Sequence, residues 1–131
     1  MFEAFTLKTK KVEQTEENLR SLVRQLSEAD RKEFYQDFSN RIKDPDTYAV
    51  LNFFFVTGLH HFYLKKYARG SMNLFIFVFG ISLLFSASAE GLGAGIFLIL
   101  FIILIELPAL FRSQIIVKDY NNRLTERILE K

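Results

Sequence analysis

The chain has 131 residues, enough for one domain, and it contains 15 Phe but neither Cys nor Trp. Its 17 Lys and Arg nearly balance its 15 Asp and Glu, so the charge gives no reason to expect a nucleic acid as partner. The absence of Cys excludes a disulfide scaffold, a thiolate metal site and a Cys nucleophile. Between residues 47 and 111 the charged residues are only Lys65, Lys66, Arg69, Glu90 and Glu106. An apolar middle with polar ends predicts an all-α membrane protein.

Residues 1–46 are predicted to form a cytoplasmic amphipathic tail. Residues 1–11 have no apolar core of the kind that a cleavable targeting peptide needs, so insertion is expected to use an internal segment. Apolar residues recur at helical spacings, at Val12, Leu19, Leu22, Val23, Leu26, Phe34, Phe38 and Ile42. Ser27 followed by Asp30 resembles a capping box and predicts two helices that meet near Leu26. The Asp-Pro-Asp sequence at 44–46 is expected to break the second helix.

Three apolar stretches follow, at 47–64, 71–89 and 92–111. The last has 14 Leu, Ile and Phe in 20 residues, which outweigh the insertion cost of Glu106. The second, if helical, extends over roughly 28 Å, close to the thickness of the hydrocarbon core. The first is interrupted by His60 and is predicted to be half-inserted, re-entrant or interfacial. The alternative is a third full span with the N-terminal tail outside.

The distribution of Lys and Arg predicts the orientation of the two spanning helices. The connection at 65–70 has three of these residues and the segment 112–131 has five, while the connection at 90–95 has none. We therefore expect a helical hairpin with both termini cytoplasmic and a Gly-rich turn at 90–95 outside. In 112–131, apolar residues recur every four positions, at Ile116, Tyr120, Leu124 and Ile128, which predicts a second cytoplasmic helix.

One string of residues in front of the hairpin resembles the signature of the two-transmembrane (TM-two) domain family. It consists of Gly58, Leu59, His60, His61, Phe62, Tyr63 and Leu64, followed by Gly70 and Leu74. The resemblance covers about residues 48–121. It departs from the family pattern at Lys65 and Phe55, where the family commonly has Gly, and at Glu106, where Asp is typical. The resemblance implies a small integral protein of a bacterial inner (plasma) membrane whose biochemical activity is poorly defined.

Glu106 lies about 9 Å inside the apolar boundary, and a carboxylate at that depth needs a polar partner. Asn73 and Arg69 are expected at a similar depth on the neighbouring helix, and His60 with His61 at the inner interface. These five residues are predicted to form an intramembrane polar cluster that joins the first apolar segment to the hairpin. The alternative is an ion or proton site that lines a path in an oligomer.

No metal, cofactor or catalytic site is predicted. His60 and His61 are adjacent, so on a regular helix their side chains point about 100° apart and cannot both bind one ion without other residues. Gly91, Gly93 and Gly95 lack the strand and amphipathic helix of a dinucleotide-binding loop and are interpreted as a turn. No acid, base and nucleophile converge, so the chain is not expected to be an enzyme.

Small residues on one face of the second apolar stretch, Gly80, Ser82 and Ser86, allow close helix approach within the hairpin or between subunits. Two functions remain open. The first is a non-enzymatic membrane scaffold whose cytoplasmic helices bind sister subunits or a protein partner, with the lipid bilayer as its medium. The second is a small oligomeric channel or transport subunit with Glu106 lining the path.

Overall fold

The computed structural model describes residues 6–54, 57–86 and 88–130, which form helices and contain no strand. The all-helical class predicted from composition is therefore confirmed for these residues. In chain order their helices of five or more residues are α1 (Thr9–Gln25), α2 (Glu28–Arg41), α3 (Pro45–Phe53), α4 (Leu59–Tyr63), α5 (Tyr67–Leu84), α6 (Ala89–Phe111) and α7 (Ser113–Leu129).

Capping residues set the boundaries between the first three helices. Ser27 precedes α2, and its hydroxyl accepts a hydrogen bond from the backbone N–H of Asp30 over 3.2 Å. Asp44 precedes α3 and accepts a backbone N–H of the first turn over 2.6 Å. Pro45 occupies the first helical position, where its missing N–H leaves no hydrogen bond unmade. Both boundaries lie where the sequence predicted them.

Two short helices occupy the region that was expected to enter the membrane only part way. α3 has nine residues and α4 has five. At 1.5 Å per residue even α3 extends over only about 14 Å, half of a bilayer core. The alternative of a third full span therefore has no helix of sufficient length among the described residues.

Among the described residues, α5 and α6 are the helices long and apolar enough to cross a membrane. Only 17% and 22% of their most apolar windows are buried inside the chain. Large apolar side chains instead face outward, among them Phe75, Phe79, Phe97 and Leu104. A core helix of a water-soluble protein would be mostly covered, so this exposed apolar surface indicates a membrane location.

The hairpin turn does not lie at 90–95, and this prediction was wrong. α6 begins at Ala89, so all three glycines from 91 to 95 are helical, and the connection between α5 and α6 is shorter and earlier. Ser88 caps α6, because its hydroxyl accepts the backbone N–H of Gly91 over 3.1 Å. α5 likewise begins at Tyr67, four residues before the predicted start.

The two long helices approach each other closely at Gly80 and Gly95. A Cβ on Gly95 would lie 2.7 Å from the backbone oxygen of Gly80 and 2.9 Å from the side chain of Leu84. Gly80 thus takes part in the predicted close approach of helices. The helix that it contacts is α6 of the same hairpin, through Gly95. Ser82 and Ser86 are exposed, and the Ser82 hydroxyl donates to the backbone of its own helix over 2.8 Å.

α7 packs beside α1, α2 and α3. Its Ile116 and Val117 form an apolar core with Tyr48, Leu64 and Ala109. Two asparagines of α7 bind the N-terminal segment through its backbone. Asn121 accepts the N–H of Lys43 over 3.0 Å and donates to its carbonyl over 2.9 Å. The amide of Asn122 donates to the carbonyl of Val12 over 2.9 Å.

Candidate functional site

The buried carboxylate of Glu106 on α6 is bonded by side chains from two other helices. His60 Nε2 lies 3.1 Å from Oε2, and His61 Nε2 lies 3.1 Å from Oε1. Asn73 Nδ2 on α5 donates to Oε1 over 2.8 Å. Glu106 is only 7% exposed and His60 is fully buried. We call these four residues the Glu106 cluster.

Arg69, which the sequence also placed in this group, is partly exposed and lies one residue before Gly70 on α5. A residue not predicted for the group also reaches Glu106. The amide of Asn52 on α3 lies 3.5 Å from the Glu106 backbone carbonyl, and Asn52 is fully buried. The signal for it in the sequence is one amide within an otherwise apolar run.

Glycines of the TM-two-like string let α4 pack closely on α5. Gly58 has a φ of 67°, and a Cβ there would lie 2.8 Å from the Cβ of Asn73. A Cβ on Gly70 would lie 2.7 Å from the ring of Phe62. A side chain at Gly58 or Gly70 would push the two helices apart. The two glycines therefore allow α4 to lie close enough to α5 for its histidines to reach the same carboxylate as Asn73.

The end of α4 is a Schellman motif, the common hydrogen-bonded termination of a helix. The N–H of Lys66 donates to the carbonyl of His61 over 2.8 Å, and the N–H of Lys65 donates to that of Phe62 over 2.9 Å. Lys65 has a φ of 57°, in the left-handed region where Gly is the usual residue. This is the position at which the resembling family commonly has Gly.

Two further residues of the string, Tyr63 and Leu64, attach α4 to its surroundings. The Tyr63 hydroxyl accepts the backbone N–H of Asp44 over 2.8 Å, and the ammonium of Lys43 lies 4.4 Å from the centre of the Tyr63 ring. Leu64 is 2% exposed in the apolar core. Phe55, the other departure from the family pattern, lies outside the described residues.

The two histidine rings converge, contrary to the divergence expected for neighbours on a regular helix. Their centroids are 4.1 Å apart, and each ring reaches a different oxygen of the same carboxylate. The ring of Tyr48 packs edge-on against His60, with centroids 5.3 Å apart. The short helix therefore presents both imidazoles to Glu106.

His60 lies outside the two candidate spans, and its surroundings act on its protonation. Burial lowers the pKa of the His60 imidazole below its ordinary value, because water no longer solvates the charged ring. Its hydrogen bond to Glu106 opposes that effect. The neutral ring donates from one nitrogen and accepts at the other. When Nε2 donates to Glu106, Nδ1 is the acceptor.

Two buried side-chain atoms lack a hydrogen-bond partner within the part of the chain that the structure describes. They are Nδ1 of His60 and Oδ1 of Asn52. Buried polar atoms in native proteins are nearly always hydrogen-bonded, so both call for an explanation.

Comparisons of the chain with protein-family models, with curated proteins and with solved structures found no match. The TM-two resemblance therefore rests on the motif residues alone.

Proposed function

We propose that this protein is a non-enzymatic integral membrane scaffold whose tail helices bind sister subunits or a partner protein. The observation that supports this is the saturation of Glu106 within one chain. Two imidazoles and an amide bond its two oxygens, and the carboxylate is nearly inaccessible. A carboxylate bonded in this way stabilises the junction of three helices and does not need a water-filled path.

We infer the topology from charge. Lys65, Lys66 and Arg69 lie at the start of α5, and α7 carries further Lys and Arg, so this end of the hairpin is cytoplasmic with both termini. α3 and α4 then lie part way into the membrane on that side. The TM-two resemblance favours a bacterial inner membrane.

Single-cysteine labelling tests this topology, because the natural chain contains no Cys. A membrane-impermeant thiol reagent added outside should label Phe85→Cys in the hairpin connection. It should not label Ser21→Cys in α1. Labelling of Ser21→Cys from the outside would refute the proposed orientation.

The tail carries a groove that suits a partner helix. It has a volume of about 430 Å³ and lies between α1, α2 and α7. Its lining combines apolar side chains, including Phe34, Phe38 and Ile42, with charged ones, among them Arg24 and the ion pair of Arg20 with Glu16. An apolar groove with charged side chains in its lining fits an amphipathic helix.

Native mass spectrometry in mild detergents, with identification of copurifying proteins, tests the scaffold proposal. Tyr35 lines the groove and is exposed, so Tyr35→Glu should reduce the bound species. Gln36→Glu, an exposed neighbour that does not line the groove, is the matched control. Only monomer, with no copurifying protein in several detergents, would count against the scaffold.

The alternative is a small oligomeric ion channel or transport subunit. It predicts ion flux into vesicles that contain the purified protein and loss of that flux in Glu106→Gln with the fold retained. The scaffold proposal predicts no flux from either protein above that of empty vesicles.

A further inference from the structure

We propose that His60, His61 and Glu106 bind a divalent first-row transition-metal ion, with Zn²⁺ as the best match. The inference goes beyond the scaffold proposal and does not depend on the groove or on any protein partner. It arises from the convergence of two imidazoles on one carboxylate. The sequence placed these residues in one polar cluster but predicted that the two rings point apart.

The donor atoms have the spacing of ligands around one ion. One ligating atom from each of the three residues lies within 4.8 Å of the others, and each Nε2 is 3.1 Å from a carboxylate oxygen. Ligands bonded at 2.0–2.1 Å in tetrahedral or octahedral geometry are about 2.9–3.4 Å apart. The two nitrogen–oxygen distances of 3.1 Å fall within this range, and the upper limit of 4.8 Å for every pair keeps all three donors around one point.

The chemistry of the donors selects the class of ion. Imidazole nitrogen suits Zn²⁺, Cu²⁺, Ni²⁺ and Fe²⁺, whereas Ca²⁺ and Mg²⁺ prefer oxygen donors only. Two His and one Glu also form a known type of Zn²⁺ site that keeps one position open. All three side chains are buried, so an ion there would be shielded from bulk water.

Two side chains that contact the proposed ligands could hold them in a fixed orientation. Asn73 donates to Oε1 of Glu106 and holds the carboxylate, while the Tyr48 ring packs against His60. Residues of this kind fix the direction of the ligands and contribute to metal affinity.

The unpaired atoms supply an independent observation. An ion at Nε2 of His60 would place the ring proton on Nδ1, which would then need a buried acceptor. Asn52 Oδ1 is a fully buried acceptor without a partner, one helical turn after Tyr48 on the helix that packs beside α4. Asn52 is therefore the candidate acceptor for this proton. The two atoms are not hydrogen-bonded in the structure, so their pairing would require the Asn52 side chain to move toward His60.

Metal titration of the full chain in mild detergent tests the proposal. His60 and His61 are the only histidines in the sequence and Cys is absent, so with a tag free of both residues no other imidazole or thiolate competes. After removal of metal by a chelator, Zn²⁺ is added and bound metal is measured by mass spectrometry. We expect a single ion per chain and a higher melting temperature with Zn²⁺.

Variants separate metal binding from the structural role of the cluster. Glu106→Gln should weaken Zn²⁺ binding at least tenfold, whereas Glu90→Gln, at the opposite end of α6, should leave it unchanged. Asn52→Leu should weaken it about 10- to 100-fold if Asn52 supports His60. Equal Zn²⁺ binding by the wild-type chain and a folded Glu106→Gln would overturn the proposal.

Cobalt spectroscopy on the wild-type chain keeps the proposal testable if Glu106→Gln does not fold. Co²⁺ in a four- or five-coordinate protein site absorbs visible light far more strongly than Co²⁺ in water, and Zn²⁺ should displace it with loss of the intense bands. A purely hydrogen-bonded cluster would leave only the weak spectrum of aqueous Co²⁺, and that outcome at saturating Co²⁺ would refute the metal site.

Discussion

The two ends of the α5–α6 hairpin are held by different physical means. Near the connection, Gly80 and Gly95 bring the backbones together, and the surrounding side chains are apolar. At the other end, Glu106 joins α4, α5 and α6 through directed polar contacts. We call these the glycine end and the cluster end.

The difference follows from the solvent that such helices meet. Lipid tails are as apolar as Leu, so helices in a membrane gain little from apolar contact and associate through close packing or polar bonds. The glycine end is held by close packing, and the cluster end is held by polar bonds. Substitutions that change side-chain size should act at the glycine end, and substitutions that change chemistry should act at the cluster end.

The largest effect is expected for Glu106→Leu. Leucine leaves both imidazoles and the Asn73 amide without their buried acceptor, which should lower the free energy of unfolding by roughly 3–5 kcal/mol. Glu106→Gln keeps an acceptor oxygen and should lower it by about 1–2 kcal/mol. Thermal unfolding in detergent compares the two. An unchanged melting temperature and oligomeric state for Glu106→Leu would show that the cluster end does not stabilise the fold.

A methyl group tests the glycine end. Gly95→Ala would place its Cβ against the Gly80 carbonyl, and we expect a loss of about 1–3 kcal/mol as the helices separate. Gly93→Ala is the control on the same helix, because no atom lies within 4 Å of its added Cβ. Equal melting temperatures for the two variants would contradict a packing role for Gly95.

A smaller effect is expected where α7 binds the tail. Asn122→Ala removes the bond to the Val12 carbonyl in a buried position and should weaken tail docking by about 1–2 kcal/mol. Limited proteolysis reads this out as faster cleavage within α1. Gln114→Ala, at an exposed site of α7, should not change the cleavage rate. If both variants are cleaved equally, the Asn122 contact does not hold the tail.

The smallest effect is a gain in stability. Lys65→Gly removes the steric strain that a side chain causes at the left-handed residue ending α4. The substitution should raise the free energy of unfolding by up to about 1 kcal/mol. Lys66→Gly, where φ is −89°, should give no such gain. Chemical denaturation of both variants measures the difference. A loss of stability in Lys65→Gly would show that its side chain contributes more than the strain costs.

Composition and capping predicted much of this architecture. The helical class, the two long apolar helices and the boundaries near Ser27 and Pro45 follow from local patterns that do not depend on distant contacts. The turn was misplaced because glycines usually interrupt helices. Here Gly95 is needed for the approach of Gly80, and Ser88 caps the helix ahead of the glycines.

The cluster was only partly predictable. The predicted depth of Glu106 in the membrane implied that its carboxylate needs polar partners. The convergence of the two histidine rings, in contrast, depends on a five-residue helix and its Schellman end. Asn52, Asn121 and Asn122 were missed, because two of them bond backbone groups more than 70 positions away and the third lies in an apolar run. No periodicity marks such pairs.

The asparagines of α7 also set an order of assembly during synthesis. Asn122 meets Val12 across 110 positions and Asn121 meets Lys43 across 78, so α1 leaves the ribosome long before its docking partner exists. Until α7 emerges, the apolar face of α1 around Leu19 and Val23 lacks α7, the helix that packs most extensively on it. Closure of the tail therefore waits for the emergence of α7, and a nascent chain that stalls before residue 113 would present this face to chaperones or to the membrane surface.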